Sequence, residues 1–147
     1  MKWLKPLFWV TDIGFIAYWL VTFFHIIPDE YAFKDYNISI MVDWNWSFFP
    51  LDILISITGL TSLYYHKRNR HVWKHYALIS LVLTFCSGLQ AIAFWAFSGD
   101  FDLIWWAVNL YLLLYPIFFI VGFLRKLGHH PTVNDATIKR YMQQHRS

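Results

Sequence analysis

The chain has 147 residues, 58% of them hydrophobic, 22% aromatic and only 14% charged. A soluble domain carries about a quarter charged residues and under half apolar ones, and a single core of this size cannot hide so much apolar surface, so a water-soluble fold is excluded. The formal charge of +3 is dispersed between apolar blocks rather than gathered on one face, which argues against nucleic acid and for the lipid bilayer as the anionic partner.

Four blocks are long enough to cross a hydrocarbon core of about 30 Å, which takes about 20 helical residues. They run over about 7–27, 46–65, 76–97 and 103–124, and none alternates as a membrane-barrel strand does. The first block follows Lys2 and Lys5, as a signal peptide would. Its apolar run is too long for one, it contains Asp12, and no small-x-small cleavage site follows, so it is expected to remain as an anchor helix. The connector over 28–43 mixes Tyr31, Phe33 and Tyr36 with charges and is expected to lie on the bilayer surface. The third block holds Cys86, the single cysteine, which can form no internal disulfide and is read as a small packing residue. In the fourth, Pro116 deprives the carbonyl of Leu112 of its helical donor, so a local bend is expected. Residues 1–128 thus form a transmembrane domain and 129–147 a short cytoplasmic tail. In the tail, Pro131 ends the preceding helix, and Asn134 or Asp135 caps a short helix with Ile138, Tyr141, Met142 and His145 on one side.

The connectors set the orientation. Lys2 and Lys5 precede the first span, Lys67, Arg68, Arg70 and Lys74 separate the second from the third, and Arg125, Lys126, Lys139, Arg140 and Arg146 follow the fourth. Lys34 is alone on the other side, so eleven of the twelve basic residues share one side, and that side is cytoplasmic. The expected fold is all-α: four antiparallel transmembrane helices in a bundle, with both termini in the cytoplasm, in the plasma membrane. Trp3, Trp9, Trp44, Trp46, Trp73, Trp105 and Trp106 lie near span ends, where amphipathic rings form interfacial belts.

Polar residues inside the spans carry what the sequence says about function. Helical spacing aligns Asp52, Ser56, Gly59 and Ser62 on one side of the second span, and Thr11, Gly14, Tyr18, Thr22 and His25 on the first. The third offers Ser80, Thr84, Ser87 and Ala91 with Gln90 beside them, and the fourth offers Asn109. Such stripes are the ordinary means by which membrane helices approach closely and hydrogen-bond. By depth, His25, Asp52, Gln90 and Asn109 fall in the outer half, one per span, and form an outward-opening polar cluster if their faces converge. Asp12 lies about 7 Å inside the cytoplasmic edge, at about 1.5 Å per residue, where it reaches interfacial water or caps neighbouring donors. Asp52, just after Pro50, sits where the helix dipole favours a carboxylate. It is nonetheless the leading ligand-binding candidate, with Gln90, Asn109, His25 and Asp12 behind it.

His66, His71 and His75 lie in the most basic connector with no acidic or cysteine companion, and His129-His130 has no further ligand near, so no metal site is expected. No glycine-rich phosphate loop, G-x-S-x-G or H-E-x-x-H occurs, so no catalytic residue and no cofactor is assigned.

Thr11-Asp12-Ile13-Gly14-Phe15, Asn45-Trp46-Ser47-Phe48-Phe49-Pro50-Leu51-Asp52, Phe85-Cys86-Ser87-Gly88-Leu89-Gln90-Ala91 and Ser98-Gly99-Asp100-Phe101-Asp102 resemble the YvaD-like family of small four-span membrane proteins of Bacillus-type bacteria. The resemblance extends through the fourth span and implies a bacterial plasma-membrane protein, with no activity attached. In architecture the chain is also similar to the EXPERA superfamily of sterol isomerases and lipophilic-ligand receptors. That likeness implies four spans with cytoplasmic termini and a ligand pocket near Asp12, Asp52 and Tyr115-Pro116; the paired acid and histidine of the isomerases have no evident counterpart here.

Three functions follow. The leading one is a non-enzymatic binding or accessory protein of the membrane with a polar pocket in the outer half, whose partner is a lipophilic ligand or another membrane protein. The second is an enzyme on a lipophilic substrate, with Asp52 as acid or base and His25 or Gln90 assisting. The third is a small transporter, which at four spans needs a homo-oligomer.

Overall fold

The computed structural model describes residues 3–28 and 35–128. The tail helix expected over 134–145, His129-His130 and Lys34 fall outside them. Five helices follow in order: α1 (Leu4–Phe23), α2 (Ser39–Ser47), α3 (Phe49–Lys67), α4 (Trp73–Ser98) and α5 (Leu103–Gly128). No strand occurs among the described residues. Four stretches are long and apolar enough to cross a membrane: Leu4–Phe23, Ser39–Lys67 (α2 and α3 together), Trp73–Ser98 and Leu103–Arg125.

The second apolar stretch begins earlier than the sequence implies. The last residues of the connector, from Ser39, are already helical, and only Phe48 separates α2 from α3. Pro50 lies in the first turn of α3, where its missing N–H costs nothing, but it cannot continue α2. The α4–α5 turn is written in three residues. Gly99 takes the left-handed conformation (φ 66°) that ends a helix, Asp100 N donates back to the Trp95 carbonyl at 3.2 Å, and Asp102 Oδ1 accepts from Ile104 N and Trp105 N, both at 3.0 Å, opening α5. α5 then runs unbroken through the buried Pro116.

Neighbouring helices meet along the small-residue stripes. Between α1 and α3, Ser56 Oγ lies 3.1 Å from the Asp12 carbonyl and 2.9 Å from the Asp52 carbonyl. A Cβ on Gly59 would overlap the Asp12 carboxyl group. Between α3 and α4, Ser62 Oγ donates to the Trp73 carbonyl at 3.0 Å and Ser80 Oγ to the Ile55 carbonyl at 3.4 Å. Between α4 and α5, a Cβ on Gly88 would stand 2.6 Å from Leu113 N and 2.9 Å from the Asn109 carbonyl, so glycine alone lets the two backbones come this close.

Two apolar clusters result. At one end Leu4, Phe8, Ala77, Leu81, Leu112 and Tyr115 interlock. At the other Trp19, Phe48 and Ala91 pack with Tyr18, Trp44 and Trp46. Leu54, Ile57, Ile79, Val82, Leu114 and Phe118 point outward and exposed, as suits a lipid surrounding. Cys86 belongs with these: it is exposed on α4, and not the packing residue its apolar setting implies, because it falls off the Ser80–Thr84–Ser87 face.

Candidate functional site

Above the Leu4 cluster the helices part around a cavity of about 560 Å³. This lies within the range of about 300 to 1,000 Å³ common for small-molecule sites. α1 contributes Thr11, Gly14, Tyr18 and Trp19, α2 contributes Trp44 and Asn45, and α3 contributes Asp52. Ser87 and Ala91 come from α4, and Trp105, Val108, Asn109 and Tyr111 from α5. The stripe read on α1 from Thr11 through Gly14 to Tyr18 is therefore cavity wall.

Asp52 is buried at 4% exposure in the first turn of α3. Trp19 Nε1 donates to its Oδ2 at 2.9 Å and Ser87 Oγ to its Oδ1 at 3.2 Å, so three helices are tied at one carboxyl group. Leaving a buried carboxyl group unpaired is costly, and these two donors offset that cost at Asp52. Asn45, at 7% exposure, accepts from Tyr18 OH at 2.9 Å through Oδ1, while its Nδ2 has no hydrogen-bond partner. That amide nitrogen is enclosed by protein atoms and does not open onto the cavity. Asn109 Nδ2 donates to the Trp105 carbonyl one turn back, at 2.8 Å. Thr11 Oγ1 and Tyr111 OH, 3.3 Å apart, link α1 to α5 below.

Of the residues expected to converge, Asp52 and Asn109 both line the cavity. Gln90 does not; it is exposed on α4, beside rather than on the face that carries Ser87 and Ala91. His25 also lies outside the lining, exposed just after α1 with φ 47°. Asp12 neither reaches water nor caps a donor: it is fully buried against Gly59, with no hydrogen-bond partner for either carboxyl oxygen. It points at α3, away from the cavity that its neighbour Thr11 lines. Sequence reasoning passed over Asn45 and Trp19. Asn45 alone had a local signal, a lone amide among tryptophans just ahead of Pro50. The Trp19–Asp52 pairing depends on how two helices are rotated against each other, which no single stretch records.

Among the described residues no three of His, Cys, Asp and Glu stand together as metal ligands would. His66 instead packs edge-on against Trp73, ring centres 5.0 Å apart.

Helices of this length and apolarity, with an apolar exterior, give the chain the build of a small membrane protein. The chain belongs to the family of unknown function DUF5360, whose pattern matches residues 4–130. It is 63% identical, over 120 residues, to the uncharacterized protein YvaD of Bacillus subtilis (strain 168), a match that covers 82% of this chain and 90% of that one. The resemblance carried by the Thr11–Phe15 and Asn45–Asp52 stretches is therefore real kinship. No solved structure matches the chain.

Proposed function

We propose that the protein is a multi-pass plasma-membrane protein that binds a lipophilic small molecule without transforming it, in the cavity walled by Asp52, Asn45 and Asn109. The four spans run antiparallel in a bundle, with both termini cytoplasmic. Contacts that pair Asp12 with Gly59 and Trp19 with Asp52, and basic residues gathered at one set of ends, support that arrangement. The cavity then occupies the outer half.

The observation that carries the reading is the cavity itself: a space of about 560 Å³ with aromatic walls and a few fixed polar groups. Such a combination is the usual make-up of a ligand site. Both Asp52 oxygens already accept a hydrogen bond, from Trp19 and Ser87. That commits Asp52 to holding the wall together and favours binding over proton transfer. The test is mass spectrometry of small molecules and lipids co-purifying with the wild type and with Asp52→Asn, matched for folding. A species enriched on the wild type and lost from the variant is expected. Identical, ordinary lipid on both proteins would refute the reading.

A further inference from the structure

The mouth of the cavity lies on the side of the molecule, between α1 and α5. Gly14 and Val108 line the cavity and are also exposed, Val108 by 51%. Val10, on the same lip as Gly14, is 66% exposed. A Cβ added at Gly14 would meet nothing within 4 Å, so the glycine serves no close packing and leaves open space at the lip. The two helices touch below this point, through Thr11 and Tyr111 and through the Leu4 cluster.

Depth decides what the mouth faces. Gly14 stands ten residues after Leu4, about 15 Å along the helix at about 1.5 Å per residue. That is the middle of a hydrocarbon core about 30 Å thick. Val108 is five residues into α5, so the opposite lip starts about 7.5 Å from that helix's beginning. An opening at these depths is bathed by acyl chains and not by water.

We propose that this cleft is a lateral portal, through which an uncharged, predominantly apolar lipophile enters from the membrane interior. This deepens, and rests on, the reading of the cavity as a ligand site. The ligand's apolar character is specified by the indole walls of Trp44 and Trp105, which offer large apolar surface. A charged ligand is not called for, because the mouth opens at a depth where an ion is costly.

The experiment uses the full chain in phosphatidylethanolamine/phosphatidylglycerol vesicles and a palmitic acid methyl ester carrying a diazirine in its chain. After photolysis, labelled peptides are mapped, with unlabelled methyl palmitate as competitor. Saturable labelling within 105–112 and near Trp44 is expected in the wild type. Gly14→Phe and Val108→Trp, which build out the two lips without replacing a buried contact, are each expected to slow that labelling at least about tenfold. Val82→Phe, on the exposed face of α4, should leave it unchanged. Wild-type labelling unaffected by either lip variant would overturn the lateral route while leaving the ligand site standing. No saturable labelling of cavity peptides in the wild type would remove both the portal and the site.

Discussion

At the Leu4 end the four long helices close on one another; at the Trp19 end the same helices stand around a void of about 560 Å³. The difference lies in what separates the backbones. Toward the closed end the facing positions are Gly59, Ser62, Ala77 and Ser80, and large side chains such as Phe8 and Tyr115 fill what remains. At the open end Gly88 still holds α4 against α5, and the other spacers are rings. Trp44 stacks on Phe94 with centres 4.1 Å apart, and Trp19 meets Phe49 edge-on at 5.2 Å. Rigid rings braced on one another hold a wall upright with nothing behind it, which flexible aliphatic chains would not. Asp52 and Asp12 repeat the contrast at a single residue type. Asp52 draws donors from two helices and faces the void; the carboxyl group of Asp12 has no hydrogen-bond partner and is pressed onto a glycine.

The sharpest way to break this contrast is to force the backbones apart where they are closest. Gly88→Ala would place a methyl against the backbone of α5, which cannot swing aside as a side chain can. A loss of about 3 kcal/mol is expected, at the upper end of overpacking costs. Thermal unfolding in detergent measures it, and a midpoint equal to wild type would mean that α4 and α5 do not approach at Gly88. Next is Gly59→Ala, expected to cost about 2 kcal/mol because the methyl meets the Asp12 carboxyl group. Asp12→Ala alone should be neutral or slightly stabilising, since it removes a buried polar group that has no hydrogen-bond partner to lose. In the double variant most of the Gly59→Ala loss should vanish, a coupling that a mutant cycle reads directly. Additive effects would separate the two residues.

Asp52 behaves oppositely if the comparison holds. Trp19→Phe keeps a ring in place but withdraws the donor to Oδ2, and about 1.5 kcal/mol should be lost. Indole ultraviolet resonance Raman, comparing this variant with the wild type, should assign a strongly hydrogen-bonded N–H to Trp19. A Trp19→Phe spectrum still carrying that band would place the bond elsewhere.

Much of this could be read from the chain alone, and the reasons differ by feature. The spans follow from hydropathy, because a lipid-facing exterior imposes apolarity on whole stretches. The stripe Asp52–Ser56–Gly59–Ser62 is buried along its length, and Ser80–Thr84–Ser87 likewise, because membrane helices need small residues wherever they touch. What stayed hidden depends on rotation and on neighbours. Gln90 and Ser87 are three residues apart and equally polar, yet one faces outward and the other holds Asp52. Nothing around Asp12 announces that its contact is a glycine 47 positions later, and the charge of Asp43 masks the helix that already runs from Ser39.

The smallest expected effect tests the turn that sets the open end. Asp102 Oδ1 accepts from two successive backbone N–H groups at the start of α5, and these are donors no helical carbonyl can satisfy. Asp102→Ala should cost about 1 kcal/mol, the usual worth of such a cap, and Asp102→Ser should recover most of it. The loss should stay local, because a cap acts on the first turn of the helix and Leu112 lies more than two turns further on. Hydrogen exchange at the amides of Ile104 and Trp105 should therefore quicken in Asp102→Ala while amides near Leu112 keep their protection. Faster exchange spreading to Leu112 would mean that the closed end depends on the open one, and that the two halves of the helices are not the independent structures their packing describes.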